Sequence, residues 1–139
     1  MKNTASIIGI IILLFAGQNP LFSQTEGDSY NYLVITQKIE QLRPVALSAA
    51  ALMEEDGEKF GEFKVVLYGP EVVQLTDKEA MKPILKMAQR SHLTLGVCAM
   101  ALDKMGVDHK KIPKAFEIID NAFLHYLQLQ KKNYIHLSI

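Results

Sequence analysis

The alternation of short apolar runs with longer segments of helical composition constrains the fold of this chain more than any other feature. Residues 32–36, 64–68 and 93–97 are apolar runs rich in β-branched and aromatic side chains, and each predicts a strand. Strands that alternate with helices favour a parallel sheet, because each parallel connection must cross over the sheet. We therefore expect an α/β fold: a single-domain three-layer sandwich with a mostly parallel sheet of about five strands flanked by helices.

Helix signals lie between these predicted strands. A helix is expected over residues 45–55, directly after Pro44, which suits a first helical turn. Thr76 and Glu79 have the capping-box spacing and predict the start of another helix. Pro83 falls inside that helix and is expected to kink it or to move its start further along the chain.

The C-terminal third continues the same pattern. A short helix is expected over residues 98–105, and residues 115–119 fit either a fourth strand or the beginning of a helix. Residues 121–132 predict a helix with a polar outer face, and Asn133 can take the left-handed conformation that closes it. The tail predicts a half-exposed strand, because apolar side chains fall on one side of it: Ile135, Leu137 and Ile139.

The N-terminal segment differs in composition from the rest of the chain. Lys2 is the only charged residue before Glu26, and residues 7–16 form an uninterrupted run without polar side chains. A membrane-spanning helix needs about 20 apolar residues, so this run is too short to span. A positive start, a short apolar core and a following polar turn are typical of a secretory signal peptide. An uncleaved anchor or a buried helix is the alternative.

The resulting domain division is simple. Residues 1–23 are predicted to be a signal peptide, residues 24–31 a polar leader and residues 32–139 one α/β domain. Cleavage would place the mature protein in the periplasm or outside the cell. The mature chain would still be long enough to enclose one hydrophobic core, and it has an incentive to bury more surface by self-association. We therefore expect a homo-oligomer and no stable membrane insertion.

Charge and motif content exclude several classes of function. The 139 residues carry 15 basic and 15 acidic side chains, a formal net charge of zero, so nucleic acid is not an expected partner. No glycine-rich phosphate loop or serine-hydrolase motif occurs, and one cysteine cannot form an internal disulfide. No metal or cofactor is expected, because the histidines do not pair at ligand spacing, although a site built from histidines distant in sequence is the alternative. These histidines are His92, His109, His125 and His136.

Cys98 is the one residue whose position suggests chemistry. It lies where the predicted third strand ends and a helix begins, and open α/β sheets bind ligands at the carboxyl ends of their strands. Backbone N–H groups at a helix start favour the nucleophilic thiolate. The alternative is a buried thiol that only packs. His92 precedes the same strand and should lie about 20 Å away, so a Cys-His pair is not expected.

Three segments carry a resemblance to a known family. Residues 97–107 (VCAMALDKMGV) resemble the conserved-cysteine segment of the DsrE/DsrF-like family, the family of TusD-like sulfur-relay proteins. Residues 65–73 are similar to its second strand and the following loop, and residues 127–135 to its last helix and strand. Asn133 stands where a glycine is usual.

The resemblance implies a function and a site. It implies a small α/β protein that forms trimers or hexamers and holds sulfur as a persulfide on Cys98, with Gly69 and Pro70 in the loop that faces the cysteine. The expected partners are sulfur donors and acceptors, either proteins or small sulfur compounds, and the activity would be that of a sulfur carrier or sulfurtransferase. A non-enzymatic oligomeric binding module with a structural Cys98 is the competing hypothesis, and a thiol redox sensor is a third.

Overall fold

Strands and helices alternate along the whole of the domain. The structure, a computed structural model, describes residues 29–139, so the predicted signal peptide and most of the predicted leader lie outside the described residues. The elements are β1 (Tyr30–Thr36), α1 (Leu42–Asp56), β2 (Phe60–Leu67), α2 (Lys78–Arg90), β3 (Leu93–Cys98), α3 (Ala99–Lys104), β4 (Phe116–Ile119), α4 (Ala122–Gln130) and β5 (Ile135–Ser138). Short 3-10 turns lie at Ile39–Gln41, Gly57–Lys59, Pro70–Thr76 and His109–Lys111.

The five strands form one sheet in the order β4-β3-β2-β1-β5, and every neighbouring pair is parallel. Residues 115–119, for which the sequence left strand and helix open, supply β4 at one edge of the sheet. Because all strands run in the same direction, their carboxyl ends meet at one edge. Residues that directly follow β1, β2, β3 and β4 are therefore neighbours in space.

Two hydrophobic clusters separate the sheet from its helices. On one face, residues of α1 and α2 pack against β1, β2 and β3, with Val65, Leu67 and Val97 completely buried. On the other face, α4 packs through Ala122 and Leu129 against a smaller cluster from the sheet. Helices on both faces of a parallel sheet make three layers, and the predicted α/β sandwich is confirmed.

The start of α2 differs from the prediction. Asp77 caps the helix, because its side-chain oxygen accepts hydrogen bonds from the backbone N–H groups of Glu79 and Ala80 at 3.1 and 3.0 Å. The Thr76 hydroxyl instead donates to the carbonyl of Val73, so the Thr76 capping box is wrong. The helix also begins before Pro83 and continues through it, so the proline does not move the helix start.

The C-terminal elements depart from the prediction in what they expose. The outer face of α4 is not polar: Phe123, Leu124 and Leu127 are each more than half exposed. Strand β5 is paired with β1 alone, and all four of its residues are exposed, so the predicted half-burial of the tail is wrong for the chain alone. Asn133 does take the predicted left-handed conformation, with a φ of 61°.

Candidate functional site

A cavity of about 300 Å³ lies at the carboxyl ends of three neighbouring strands. Tyr68 follows β2, Cys98 ends β3 and Asn121 follows β4, and all three line it. The sheet order places these strands side by side, which is why residues far apart in sequence converge here. The remaining lining residues come from the loop after β2, from α3 and from the start of α4: Gly69, Met100, Ala101, Lys104, Met105 and Phe123.

Cys98 is held between the sheet and the cavity. It is the last residue of β3, pairs in register with Ile119 of β4, and belongs to the cluster under α4. Its residue surface is only 6% exposed, and it is a free thiol. It is also one of the residues that line the cavity. The cavity is therefore the route by which a reagent would approach the thiol.

The loop after β2 supplies one wall. Gly69 has a φ of 79°, a left-handed conformation that favours glycine, and a side chain there would meet Gln37 at 2.8 Å. Glu71 accepts a hydrogen bond from the backbone N–H of Ile39 at 2.9 Å, which ties the loop to the chain after β1. Of the two loop residues predicted from the resemblance, Gly69 lines the cavity. Pro70 is exposed and begins the next turn outside the lining.

Aromatic and polar side chains complete the wall. The rings of Tyr68 and Phe123 meet edge to face, with centroids 5.2 Å apart. The Tyr68 hydroxyl oxygen accepts a hydrogen bond from the side-chain amide of Gln37 at 3.3 Å, which leaves its own proton free to donate. The Asn121 oxygen accepts from the backbone N–H groups of Phe123 and Leu124, so the cap of α4 also forms part of the site.

None of the four histidines lines this cavity. His92 directly precedes β3, at the opposite end of the strand from Cys98, as expected. His109 approaches Asp103 at 2.8 Å, and His136 packs edge to face on Tyr126. His125 lies on α4, where burial and the nearby Lys64 ammonium lower its pKa from 6.5. No histidine is therefore placed to take a proton from the thiol.

A second groove, of about 410 Å³, lies between α1 and the β5 edge of the sheet. Its walls include Ile135, Leu137 and Ile139, which the tail leaves exposed. The groove contains no cysteine, and it runs along a strand rather than across strand ends. The smaller cavity is the better candidate, because parallel sheets bind ligands at the carboxyl ends of their strands.

Of the residues that line the cavity, the sequence predicted Cys98 and Gly69 but not the three other polar ones, Tyr68, Lys104 and Asn121. Tyr68 and Asn121 were detectable in principle, because each directly follows a strand of a parallel sheet. Lys104 was not, because its place depends on how α3 packs. Ala101, Lys104 and Met105 stand at i, i+3 and i+4, so the same side of the helix faces the cavity.

Within residues 29–139, no three His, Cys, Asp or Glu side chains gather in an arrangement that could hold a metal ion. In the same residues, no helix is both long enough and apolar enough to cross a membrane.

Comparison with known proteins agrees with the fold. The sequence matches the DsrE/DsrF-like family over residues 32–137. No curated protein matches the sequence significantly. A protein of unknown function from Methanobacterium thermoautotrophicum superposes with a TM-score of 0.63 at 15% identity, covering 81% of this chain and 100% of that one. A conserved protein of unknown function from Bacteroides thetaiotaomicron superposes with a TM-score of 0.59 at 16% identity, covering 84% of this chain and 99% of that one.

These two likenesses show a shared fold, and the family match extends over nearly all of the described domain and includes Cys98 and the loop that faces it. The chain therefore belongs to the DsrE/DsrF-like family.

Proposed function

We propose that this protein is a sulfur carrier that accepts sulfur on Cys98 as a persulfide and passes it to an acceptor thiol. The observation that carries the proposal is the position of the only cysteine in the chain. Cys98 lines an open cavity at the carboxyl ends of the strands, in a family whose members include sulfur-relay proteins. No metal or redox cofactor is needed for such a step, because a thiolate alone attacks a sulfane sulfur.

The proposed cycle has two exchanges. The Cys98 thiolate attacks the sulfane sulfur of a donor, a new S–S bond forms, and the donor bond breaks with its electron pair leaving on the departing group. An acceptor thiolate then attacks the terminal persulfide sulfur and regenerates the Cys98 thiolate. The cavity suits small donors or a single extended side chain from a protein, because Cys98 is 6% exposed and is reached through a confined space.

Mass spectrometry of the intact protein tests the proposal. After incubation with polysulfide or thiosulfate, the wild type should gain about 32 Da per transferred sulfur atom, and mild reduction should remove it. Cys98→Ser should gain nothing, because it keeps the shape of the side chain and removes the thiol. Oxygen adducts under mild peroxide without sulfur uptake would instead support a thiol redox sensor.

The burial of Cys98 favours one competing function, a non-enzymatic binding module in which the thiol only packs. Its cluster under α4 is apolar and includes Ile35, Val66 and Ile119. Alkylation separates the two functions. A sulfur carrier should react with iodoacetamide in the native state, whereas a packing cysteine should react only after denaturation.

We also propose that the protein is exported. The apolar run of residues 7–16 and the single charge that precedes it support this proposal. N-terminal analysis of protein from its native host should find a start close to Gln24. An intact Met1 would reject export.

We further propose that the protein forms a homo-oligomer, a trimer or a hexamer, through the side of the domain that carries α4. Phe123, Leu124 and Leu127 expose 58%, 54% and 54% of their surface, and Met100 beside the cavity exposes 59%. Clustered apolar exposure of this kind is typical of interaction surfaces.

Light scattering tests this assembly with a matched pair of variants. The wild type should be larger than a monomer, and Leu127→Glu should shift it toward the monomer. Leu47→Glu is the control, because Leu47 is 65% exposed but lies on α1, on the other face of the sheet. A monomeric wild type, or equal effects of both variants, would contradict the proposal.

A further inference from the structure

We propose that Lys104 makes the Cys98 cavity selective for anionic sulfur compounds, so that small sulfane donors with a negatively charged end are the preferred substrates. The chemistry of this inference rests on the proposed sulfur transfer. The selectivity itself is a property of the cavity and can be measured without it.

Among the residues that the structure describes, Lys104 is the only charged one in the wall of the cavity. The ion pairs of the described chain do not include it; their basic members are Lys38, Lys64, Lys82 and His109. The neighbouring carboxylate of Asp103 is instead directed to His109, at 2.8 Å. No protein carboxylate in the described residues therefore neutralises the Lys104 ammonium, and an anionic ligand can.

The neutral polar groups of the wall also favour an anionic ligand. The Asn121 oxygen is occupied by the cap of α4, so its side-chain N–H groups are what remain for a ligand. The Tyr68 hydroxyl oxygen already accepts from Gln37, and its proton can be donated. Donors at three positions and no carboxylate favour a ligand that only accepts hydrogen bonds.

The apolar remainder of the wall strengthens the charge effect. Met100, Met105 and Phe123 surround the same space, and a charge interaction is stronger beside apolar side chains than in bulk water. Cys98 and Lys104 stand at the two ends of α3, about 9 Å apart along the helix axis at 1.5 Å per residue. The flexible Lys104 side chain can shorten that separation. A donor with its sulfane sulfur at one end and its charge at the other fits between the two residues.

Thiosulfate illustrates the balanced step. The Cys98 thiolate attacks the outer sulfur, the Cys98 Sγ–S bond forms, and the S–S bond of thiosulfate breaks with its electron pair leaving on sulfite. The products are the Cys98 persulfide anion and sulfite, so atoms and charge are conserved. Both the donor and the leaving group are dianions. Lys104 would stabilise the negative charge of thiosulfate when it binds and that of sulfite when it leaves.

Paired alkylating reagents test the inference on the thiol itself. Iodoacetate and iodoacetamide have nearly the same size and the same leaving group, but only iodoacetate is charged. The rate of iodoacetate divided by the rate of iodoacetamide on Cys98 should fall about three- to fivefold in Lys104→Met and fall further in Lys104→Glu. The effect should decrease as the salt concentration is raised. Lys104→Arg should retain the wild-type ratio, because it keeps the charge.

Lys131→Met is the matched control. Lys131 is exposed and follows the far end of α4, about 15 Å along the helix axis from Asn121, so salt screens it from the cavity. Its variant should leave the ratio unchanged. A ratio that is unchanged in Lys104→Met, or that falls equally in Lys131→Met, would overturn the inference, and so would a native thiol that neither reagent reaches.

The same variants separate this inference from the proposed function. If the rate ratio depends on Lys104 but no persulfide forms with thiosulfate or polysulfide, the cavity is anion-selective and sulfur transfer is wrong. If both hold, Lys104→Met should raise the KM for thiosulfate and leave the rate with a neutral organic trisulfide nearly unchanged; in that reaction Cys98 attacks the central sulfur, a mixed trisulfide forms on Cys98 and one organic thiolate leaves.

Discussion

Gly96 leaves room for the side chain of Ile119 beside β3, and its replacement by alanine should destabilise the protein. A Cβ at this position would lie 2.5 Å from Cδ1 of Ile119 and 3.3 Å from Cγ2 of Val66. Ordinary contacts begin near 3.4 Å, so the Ile119 methyl would have to move by about 1 Å. Ile119 is only 8% exposed and packs in the cluster that contains Cys98, which leaves it little room.

The expected net effect of Gly96→Ala is a loss of about 1–2 kcal/mol in the free energy of unfolding. Overpacking a core costs about 1–3 kcal/mol, and removing a glycine from a strand returns about 0.5–1 kcal/mol. Ile119→Val removes the Cδ1 atom that causes the clash and by itself costs about 1 kcal/mol. Without the clash only the gain from replacing glycine remains, so the double variant should be about 0.5–1 kcal/mol more stable than Ile119→Val alone, a coupling of about 1–3 kcal/mol.

Urea unfolding followed by circular dichroism, at one fixed protein concentration, measures all four proteins of this cycle. The iodoacetamide rate on Cys98 should also change in Gly96→Ala, because residues 96 and 98 lie on the same side of β3. Strict additivity of the two substitutions, or an alanine variant as stable as the wild type, would refute the packing argument.

Three further predictions concern hydrogen bonds and titration. Burial, and then the 2.6 Å hydrogen bond from its hydroxyl to Asp56, raise the pKa of Tyr32 from 10.0 to about 12. This stabilisation is present below pH 10 and is lost as the pH rises through 12. Tyr32→Phe should therefore have a lower free energy of unfolding at pH 8, and in urea unfolding that free energy should depend less on alkaline pH. Burial lowers the pKa of His125 from 6.5, so on acidification the unfolded state binds this proton before the folded state does. The free energy of unfolding should therefore fall as the pH drops below 6.5. His125→Gln should reduce this dependence on pH, and an unchanged dependence would exclude His125 as its cause. Asn121→Ala should cost about 1 kcal/mol by uncapping α4, whereas Asn121→Asp, which keeps the accepting oxygen, should unfold near the wild-type urea midpoint.

The order of strands and helices was predictable because it depends on local pattern. Apolar runs with β-branched side chains supplied β1, β2 and β3, and a parallel sheet followed from the helices between them. Cys98 was identified for the same reason, since its place at the end of a strand is a local property. Local signals failed where two adjacent residues could serve the same purpose, as when Asp77 rather than Thr76 capped α2.

The exposure of the C-terminal elements could not be deduced from pattern. Alternation in the tail correctly predicted a strand, but a strand is half-buried only if something covers one face, and β5 lies at the sheet edge beyond α1. The outer face of α4 was misjudged for a related reason. Nine helical residues with many apolar side chains can bury only those that face the sheet, so Phe123, Leu124 and Leu127 remain outside.

The sequence by itself determined the α/β class, the family resemblance and the position of the single cysteine at the end of a strand. Only the tertiary structure decided what surrounds that cysteine. Tyr68, Lys104 and Asn121 come from three separate segments, and their convergence on Cys98 depends on the order of β2, β3 and β4 in the sheet and on the side that α3 presents. Strand order and helix rotation are set by long-range packing of the whole core, which no local window of sequence contains.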